Sequence, residues 1–295
     1  MSAPEILKTA AQIDAEQHEY WNGRGGAHWV EEQAYTDQML AQVARAAIDH
    51  AAQKIAPHAP LAILDVGCGA GATTVMLKAL FPHAAITGLD LSLPLIEAAR
   101  ARGETGITWL QADATTYDFG AQEFDLIFSR FGVMFFGDPT AAFAQLRASL
   151  GPQGQLVFAC WRDFKQNPWM SVPLVAACKH VPWPPKLEPE DAGPFSFADP
   201  GRVQRILRGA GFGEPQFETL DLDLDIAGGK GVEAAMFHAT RIGAASRAMA
   251  DQPEALVHAA RAEIGKALVA YEKDGKVNLP AAIWLVSATH AEGAQ

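Results

Sequence analysis

Leu64-Asp65-Val66-Gly67-Cys68-Gly69-Ala70-Gly71-Ala72-Thr73-Thr74 is the most informative stretch of this 295-residue chain. It lies between the first strand and the first helix of a region in which short apolar runs and helical stretches alternate. Glycines at such a place permit a tight turn and let a ligand approach the backbone with no Cβ in the way. The helix that follows offers its unpaired N–H groups to whatever docks there. In open α/β sheets, ligands bind outside the carboxyl ends of the strands near the switch in strand order, and this loop occupies that position.

The surrounding region, from Leu61 to Trp161, predicts strands at 61–66, 84–90, 106–111, 124–130 and 154–161 and helices at 71–81, 92–102 and 138–149. Such alternation specifies a doubly wound α/β fold, a mainly parallel sheet with helices on both faces. The near-continuous apolar run Leu126-Ile127-Phe128 suits a strand covered on both sides. Upstream, 4–19 and 34–54 read as helices, separated by an aromatic-rich loop from Tyr20 to Trp29 that holds Gly23, Gly25 and Gly26. Downstream, the prolines at 168, 173, 182, 184, 185, 189 and 194 predict an insertion or lid loop with few regular elements. Asp199-Pro200 is an N-cap followed by proline at the first position of a helix that ends at Gly211. Residues 216–226 alternate as a strand, helices are expected near 230–250 and 253–273, and a last strand at 281–289. With those additions the sheet has seven strands.

Three carboxylates accompany the glycines. Asp90 ends the second strand, where an acidic side chain can accept both hydroxyls of a ribose. Asp113 follows the third strand in Gln111-Ala112-Asp113-Ala114, where it can accept from an adenine amino group, and Asp65 immediately precedes the glycine turn. Each aspartate alone suits a turn at a strand end. Their occurrence at the ends of successive strands points to a nucleoside.

The bulk composition fits a soluble globular protein, with 49% hydrophobic and 19% charged residues. A net charge of −11 argues against a nucleic-acid partner and against docking on an anionic membrane face. Cys68, Cys160 and Cys178 are odd in number and widely spaced, so neither a disulfide framework nor a metal site is suggested. Reduced thiols, no basic-apolar leader and no long apolar run together predict a cytoplasmic protein with no membrane span.

The constellation resembles the class I S-adenosylmethionine-dependent methyltransferases, most of all the branch that contains the ubiquinone/menaquinone C-methyltransferases. Leu64 to Gly71 matches the first motif of that family, Gly88-Leu89-Asp90-Leu91-Ser92 the second and Gln111-Ala112-Asp113-Ala114 the third. Phe124-Asp125-Leu126-Ile127-Phe128-Ser129-Arg130-Phe131 matches the fourth strand, and Leu150-Gly151-Pro152-Gln153-Gly154 resembles the turn into the fifth. The resemblance covers about 61–161. It implies S-adenosylmethionine as cofactor, S-adenosylhomocysteine as product, and methyl transfer to a small-molecule acceptor. By the same resemblance, Asp65, Gly67, Cys68, Gly69, Gly71 and Thr73 hold the methionine portion, Asp90 and Leu91 the ribose, and Asp113 and Ala114 the adenine. Ser129 leads toward the methyl, and Trp21 and Trp29 fold over the cofactor. The implied organisation is an N-terminal helical lid (1–56), a cofactor-binding core (57–161), an insertion or lid loop (162–197) and a core continuation (198–227). A helical insertion on the acceptor side (228–278) and a last core strand with tail (279–295) complete it.

Two other functions compete. A nicotinamide-dependent oxidoreductase is formally compatible with Gly67, Gly69 and Ala72. It is disfavoured by Asp65 before the glycines, by the lack of any Tyr-x-x-x-Lys pair and by the lack of room for a second catalytic domain. A non-catalytic protein that only binds S-adenosylmethionine is the other alternative. Metal-dependent methyltransferases need clustered carboxylates after strands four and five, where this chain has Ser129-Arg130-Phe131 and Trp161-Arg162. Asn167-Pro168-Trp169 superficially resembles the motif of nucleic-acid amino methylases but lies after strand five, and reads as a loop turn.

A sulfonium methyl is already electrophilic, so the protein's work is positioning, desolvation and removal of at most one proton. The acceptor pocket is expected from Tyr20, Arg130, Phe131, Phe135, Trp161 and His238. Arg130 either binds an anionic group or pairs with Asp65 or Asp113. Trp161 lines the acceptor or packs under the lid, and Phe131, Met134, Phe135 and Phe136 are core residues of which one or two face the methyl. His238 is the histidine best placed for a base, with a satisfied surface histidine as the competing reading. His18 is a more remote candidate. Asp221, Asp223 and Asp225 alternate with leucine as the solvated face of an edge strand. The acceptor's identity, the atom methylated and the oligomeric state stay open.

Overall fold

A computed structural model describes residues 8–55, 61–185 and 191–291. Residues 4–7 of the first expected helix lie outside the described residues. Five strands, β1 (Ala62–Val66), β2 (Ala85–Asp90), β3 (Ile107–Gln111), β4 (Phe124–Arg130) and β5 (Leu150–Trp161), pair in parallel. β6 (Gln216–Asp225) and β8 (Lys276–Ala288) extend the sheet, with β8 antiparallel to both neighbours in the order β3-β2-β1-β4-β5-β8-β6. This is the expected mainly parallel sheet. β1 lies between β2 and β4, so the strand order reverses there and a crevice opens at the carboxyl ends of these strands.

Sequence chemistry accounts for the layering. Ile63, Leu64, Leu126, Ile127, Phe128, Leu156, Val157 and Phe158 are all fully buried. Consecutive residues on a strand point to opposite faces, so both faces of the sheet are covered. The covering helices include α4 (Ala41–Lys54) beside α5 (Ala72–Leu80), and α7 (Pro139–Ala148) beside α9 (Pro200–Gly209). Phe143 of α7 meets Phe158 and Phe197 with ring centroids 5.6 and 6.0 Å apart. Each such side chain contributes roughly 1.5–3 kcal/mol by leaving water. α6 (Leu93–Ala101), which links β2 to β3, is capped by Ser92, α7 by Asp138 and α9 by Asp199, each with proline in the first turn.

The structure corrects several expectations. The aromatic segment from Tyr20 to Trp29 is helical, divided between α1 (Ala10–Asn22) and α2 (Arg24–Glu31). Gly25 and Gly26 serve close approach, since a Cβ on Gly25 would lie 2.4 Å from the Tyr20 ring and one on Gly26 2.0 Å from the Trp21 carbonyl oxygen. The helix expected at 34–54 is α3 (Gln33–Met39) followed by α4, interrupted at Leu40. Asn167-Pro168-Trp169 begins a helix, α8 (Pro168–Ala177), instead of a loop turn. Asn167 is fully buried there, and its side chain bonds both the N–H and the carbonyl of Ala282 on β8. The stretch 230–250 divides into α10 (Gly231–Ala239), which ends at the C-cap Thr240, and α11 (Ala244–Met249), whose N-cap Gly243 has a φ of +91°. α12 (Glu254–Leu268) then leads to a short strand, β7 (Glu272–Lys273), which turns into β8 through Asp274-Gly275, both at positive φ. β8 starts five residues earlier than the apolar pattern suggests. Pro280 is tolerated because β8 pairs with β5 only from Ile283 onward. No helix among the described residues is long and apolar enough to cross a membrane.

Candidate active site

A cavity of about 360 Å³ occupies the crevice at the carboxyl ends of β1, β2 and β4. α1 and α2 roof it, the loop after β1 forms its floor, and α8 and α11 close its far side. The floor is shaped by two glycines whose backbones adopt the left-handed conformation, Gly67 at φ +67° and Gly69 at +57°. A Cβ on Gly67 would lie 2.7 Å from Gly132 Cα, because the turn after β4 closes directly over this loop. Around Gly69, by contrast, the space where a Cβ would stand is open toward the cavity. Gly71 is behind the cavity lining. It caps α5 at φ +85° and faces Trp109, whose ring would meet a Cβ at 2.6 Å. Its role is therefore structural where contact with a ligand was expected.

The three aspartates take distinct positions. Asp90 lines the cavity and accepts from the Gly69 N–H at 2.7 Å and the Ser92 N–H at 2.8 Å. Burial raises its pKa, and those two N–H donors oppose the rise. Asp113 also lines the cavity, one oxygen accepting from the backbone N–H and the hydroxyl of Thr115 at 2.8 and 2.7 Å. Asp65 is fully buried beneath the loop and does not reach the cavity. Its Oδ2 accepts from the hydroxyls of Thr73 and Thr74 at 2.7 and 2.6 Å, which ties the end of β1 to the start of α5. Burial pushes the Asp65 carboxyl up to about 6. Cys68 reaches the wall, but burial beside Asp90 and Asp65 holds its thiol well above the usual range, so it is no nucleophile.

Tyr20, Trp21, Trp29, Leu91, Ala114, Arg130, Phe131, Phe135 and Trp161 join Gly67, Cys68, Gly69 and Thr73 on the walls. Trp21 meets Phe135 edge to face at 5.6 Å and Trp29 at 6.1 Å. Phe131 stacks on Trp161 at 4.0 Å with planes 9° apart, and Trp169 lies 4.9 Å beyond. Phe131 is one of the few non-glycine residues at positive φ, +69°, a conformation that costs about 1–2 kcal/mol. At this kink the chain turns back so that Gly132 lies over Gly67.

Two expected residues are elsewhere. Ser129 is fully buried and donates no group to the cavity; its Oγ accepts from the Gly132 N–H at 3.2 Å. His238 lies outside the main cavity, beside a much smaller one. It stacks on Tyr35 at 3.5 Å and its Nδ1 is 2.5 Å from Glu32 Oε2. Glu32 also accepts from Arg241 Nε at 2.5 Å. This cluster fastens α2 and α3 to α10, and it explains why the histidine is satisfied rather than free to act as a base. Residues not anticipated from sequence include Asp14, Asp37, Trp169, Met170, Arg241 and Arg247, all on the cavity wall. They come from segments remote in sequence, Arg241 from the turn after α10 and the others from helices, and no local motif marks them.

Residues 63–154 match a family described as a methyltransferase domain. Over those residues the chain resembles a methyltransferase domain. A malonyl-[acyl-carrier protein] O-methyltransferase of Anoxybacillus flavithermus is 35% identical over 115 residues, 39% of this chain and 44% of that protein. A demethylmenaquinone methyltransferase of Thermus thermophilus is 35% identical over 116 residues, 38% of this chain and 51% of that protein. The chain thus spans about half the length of these curated relatives. The YcgJ protein of Bacillus subtilis shares the fold with a TM-score of 0.52 at 15% identity, over 84% of this chain and 100% of that one. A Haemonchus contortus phosphoethanolamine N-methyltransferase 2, solved with S-adenosylhomocysteine, gives 0.52 at 15% identity over 97% of this chain and 61% of that one.

Proposed function

We propose that this chain transfers a methyl group from S-adenosylmethionine to a small-molecule acceptor by in-line displacement. The observation that carries the reading is one continuous cavity. The open left-handed glycine loop, Asp90 and Asp113 line one end, and the Phe131–Trp161–Trp169 array lines the other. The residues fit such a cofactor. Gly69 leaves room for a ligand against the backbone, Asp90 presents a buried carboxylate for a diol, and Asp113 stands at the end of β3 for the base. The names of the relatives agree with this reading, since each is a methyltransferase.

When bound, S-adenosylmethionine supplies the electrophilic methyl. The chain's own contribution is positioning and exclusion of water. Trp21, Trp29 and Phe135 close over the floor, and aromatic faces favour a neighbouring cation. Residues 1–56 act as the lid, and the insertions at 162–197 and 228–278 complete the acceptor side. His238 lies outside this cavity, held by Glu32 and Tyr35, and is not assigned as base, while His28 is a histidine on the cavity wall. Asp14, raised by burial and held by the Gly137 N–H, is the carboxylate nearest the role of a proton acceptor on this wall. The three cysteines are free thiols, in keeping with a cytoplasmic enzyme.

Calorimetric titration with S-adenosylhomocysteine, and in parallel with NADH, tests the assignment. Saturable binding of the first and none of the second is expected. The reverse result overturns it.

A further inference from the structure

We propose that the Arg130 guanidinium is a carboxylate-binding point on the cavity wall. This rests on the cofactor reading above and decides between the two roles that the sequence leaves open for Arg130, anion binding and pairing with an aspartate. Arg130 is the last residue of β4. Phe128 pairs with Asp65 of β1, so Arg130, two residues on, projects from the same face of the sheet, one step past the strand ends. The guanidinium therefore stands at the wall of the cavity, between the glycine loop and the Phe131–Trp161 stack.

Its Nη1 is shut off from solvent and has no hydrogen-bond partner among the described residues. A buried, unpaired donor on a charged group is costly, and folded proteins rarely keep one without purpose. Neither acidic group near it pairs with it, and Asp65 keeps its Oδ1 buried without a partner as well. Asp65 spends Oδ2 on Thr73 and Thr74. Asp37 is held by Arg102 Nη2 at 2.5 Å, and Arg102 also bonds the Ala70 carbonyl. Asp65 and Asp37 favour the charged form of Arg130 from a distance, while burial and the like charge of Arg102 oppose it. Arg130 is thus a cation with charged neighbours, an unpaired donor and an adjoining cavity. A planar guanidinium in that state matches a carboxylate, whose two oxygens suit its fork. Two sources can provide that group: the methionine end of the cofactor, or an acidic acceptor.

Two titration arms, using Arg130→Met and the charge-conserving Arg130→Lys, distinguish the sources. The first compares S-adenosylhomocysteine with 5′-methylthioadenosine, a nucleoside thioether that lacks the amino-acid end. If the cofactor supplies the carboxylate, Arg130→Met weakens S-adenosylhomocysteine at least tenfold and methylthioadenosine less than twofold, and Arg130→Lys recovers part of the loss. The second arm compares 1-naphthoate with neutral 1-naphthylmethanol on the protein saturated with S-adenosylhomocysteine. If the acceptor supplies the carboxylate, Arg130→Met leaves the first arm unchanged and removes at least a tenfold preference for naphthoate. Retention of both preferences in a folded Arg130→Met protein overturns the proposal, as does a wild-type protein with neither preference. Failure of the wild-type protein to bind both nucleosides refutes the cofactor reading instead, and the naphthoate arm then judges Arg130 alone.

Discussion

Replacement of Asp90 by asparagine or alanine separates the two tasks of that carboxylate. Its oxygens accept from the Gly69 and Ser92 N–H groups at 2.7 and 2.8 Å. Each oxygen retains a lone pair, and the side chain forms part of the cavity wall. In Asp90→Asn the amide oxygen can still serve Ser92, but its NH₂ then faces the Gly69 donor. That buried N–H loses its partner, at a cost of about 1–3 kcal/mol, offset in part because an unfavourable buried carboxylate is gone. In Asp90→Ala both acceptors go. For ligand binding, two hydroxyl donors lose a charged acceptor, which weakens S-adenosylhomocysteine by roughly 1–3 kcal/mol, about 5- to 150-fold. Isothermal titration at pH 7.5 measures that loss, and urea unfolding of the same samples isolates the effect on the loop. Affinity within twofold of wild type in a cooperatively folded Asp90→Ala protein would refute the ribose assignment. Because burial raises the Asp90 pKa, affinity for the wild-type protein should also fall as acid protonates it, and Asp90→Asn should lose that dependence.

Three further outcomes are expected. Gly67→Ala combines a φ of +67° with a Cβ 2.7 Å from Gly132 Cα, so denaturant midpoints should show a loss of at least 2 kcal/mol, on the order of the left-handed penalty plus a backbone clash. Asp65, raised from 3.8 to about 6, holds its proton more tightly in the folded chain. Its contribution is therefore complete below about pH 4 and is lost as pH rises through about 6, on the order of 3 kcal/mol. The stability of wild type relative to Asp65→Asn, followed by urea unfolding from pH 4 to 7, should fall accordingly, and a flat difference would contradict the burial argument. Glu32→Gln leaves Arg241 and His238 without their shared carboxylate, and thermal unfolding should report a loss of about 1–3 kcal/mol. The S-adenosylhomocysteine affinity of that variant should change little.

The sheet was readable from local chemistry because buried parallel strands are written as short apolar runs and their helices as capped, proline-led segments. Asp90, Asp113, Gly67 and Gly69 were readable too, since the turn between β1 and α5 needs left-handed backbone and the strand ends need acceptors. What misled was the double use of single residue types. Gly25 and Gly26 suggest a loop, yet they are glycines so that α2 can approach Tyr20 and Trp21. Pro168 suggests irregular chain, yet it opens α8 over the buried Asn167. Ser129 and Asp65 sit in the right segments but project away from the cavity, a distinction of side-chain direction that motif spacing does not contain, and Gly71 lies behind the lining. His238 was attractive because of its helix, but Glu32 and Tyr35, some two hundred residues earlier, were invisible as its partners. The Asp274-Gly275 turn carried a plain hairpin signal that marks β7 and the true start of β8.

The fastening of α1 has a kinetic consequence. Ser92 Oγ donates to the Trp21 carbonyl, Asn22 joins both Leu91 and Leu93, and Asp14 accepts from Gly137 across the cleft. Three of these attachments grip the segment that directly continues from Asp90, so traffic through this side requires several bonds to part together. Residence times of bound molecules would then be governed by how often the whole helix lifts.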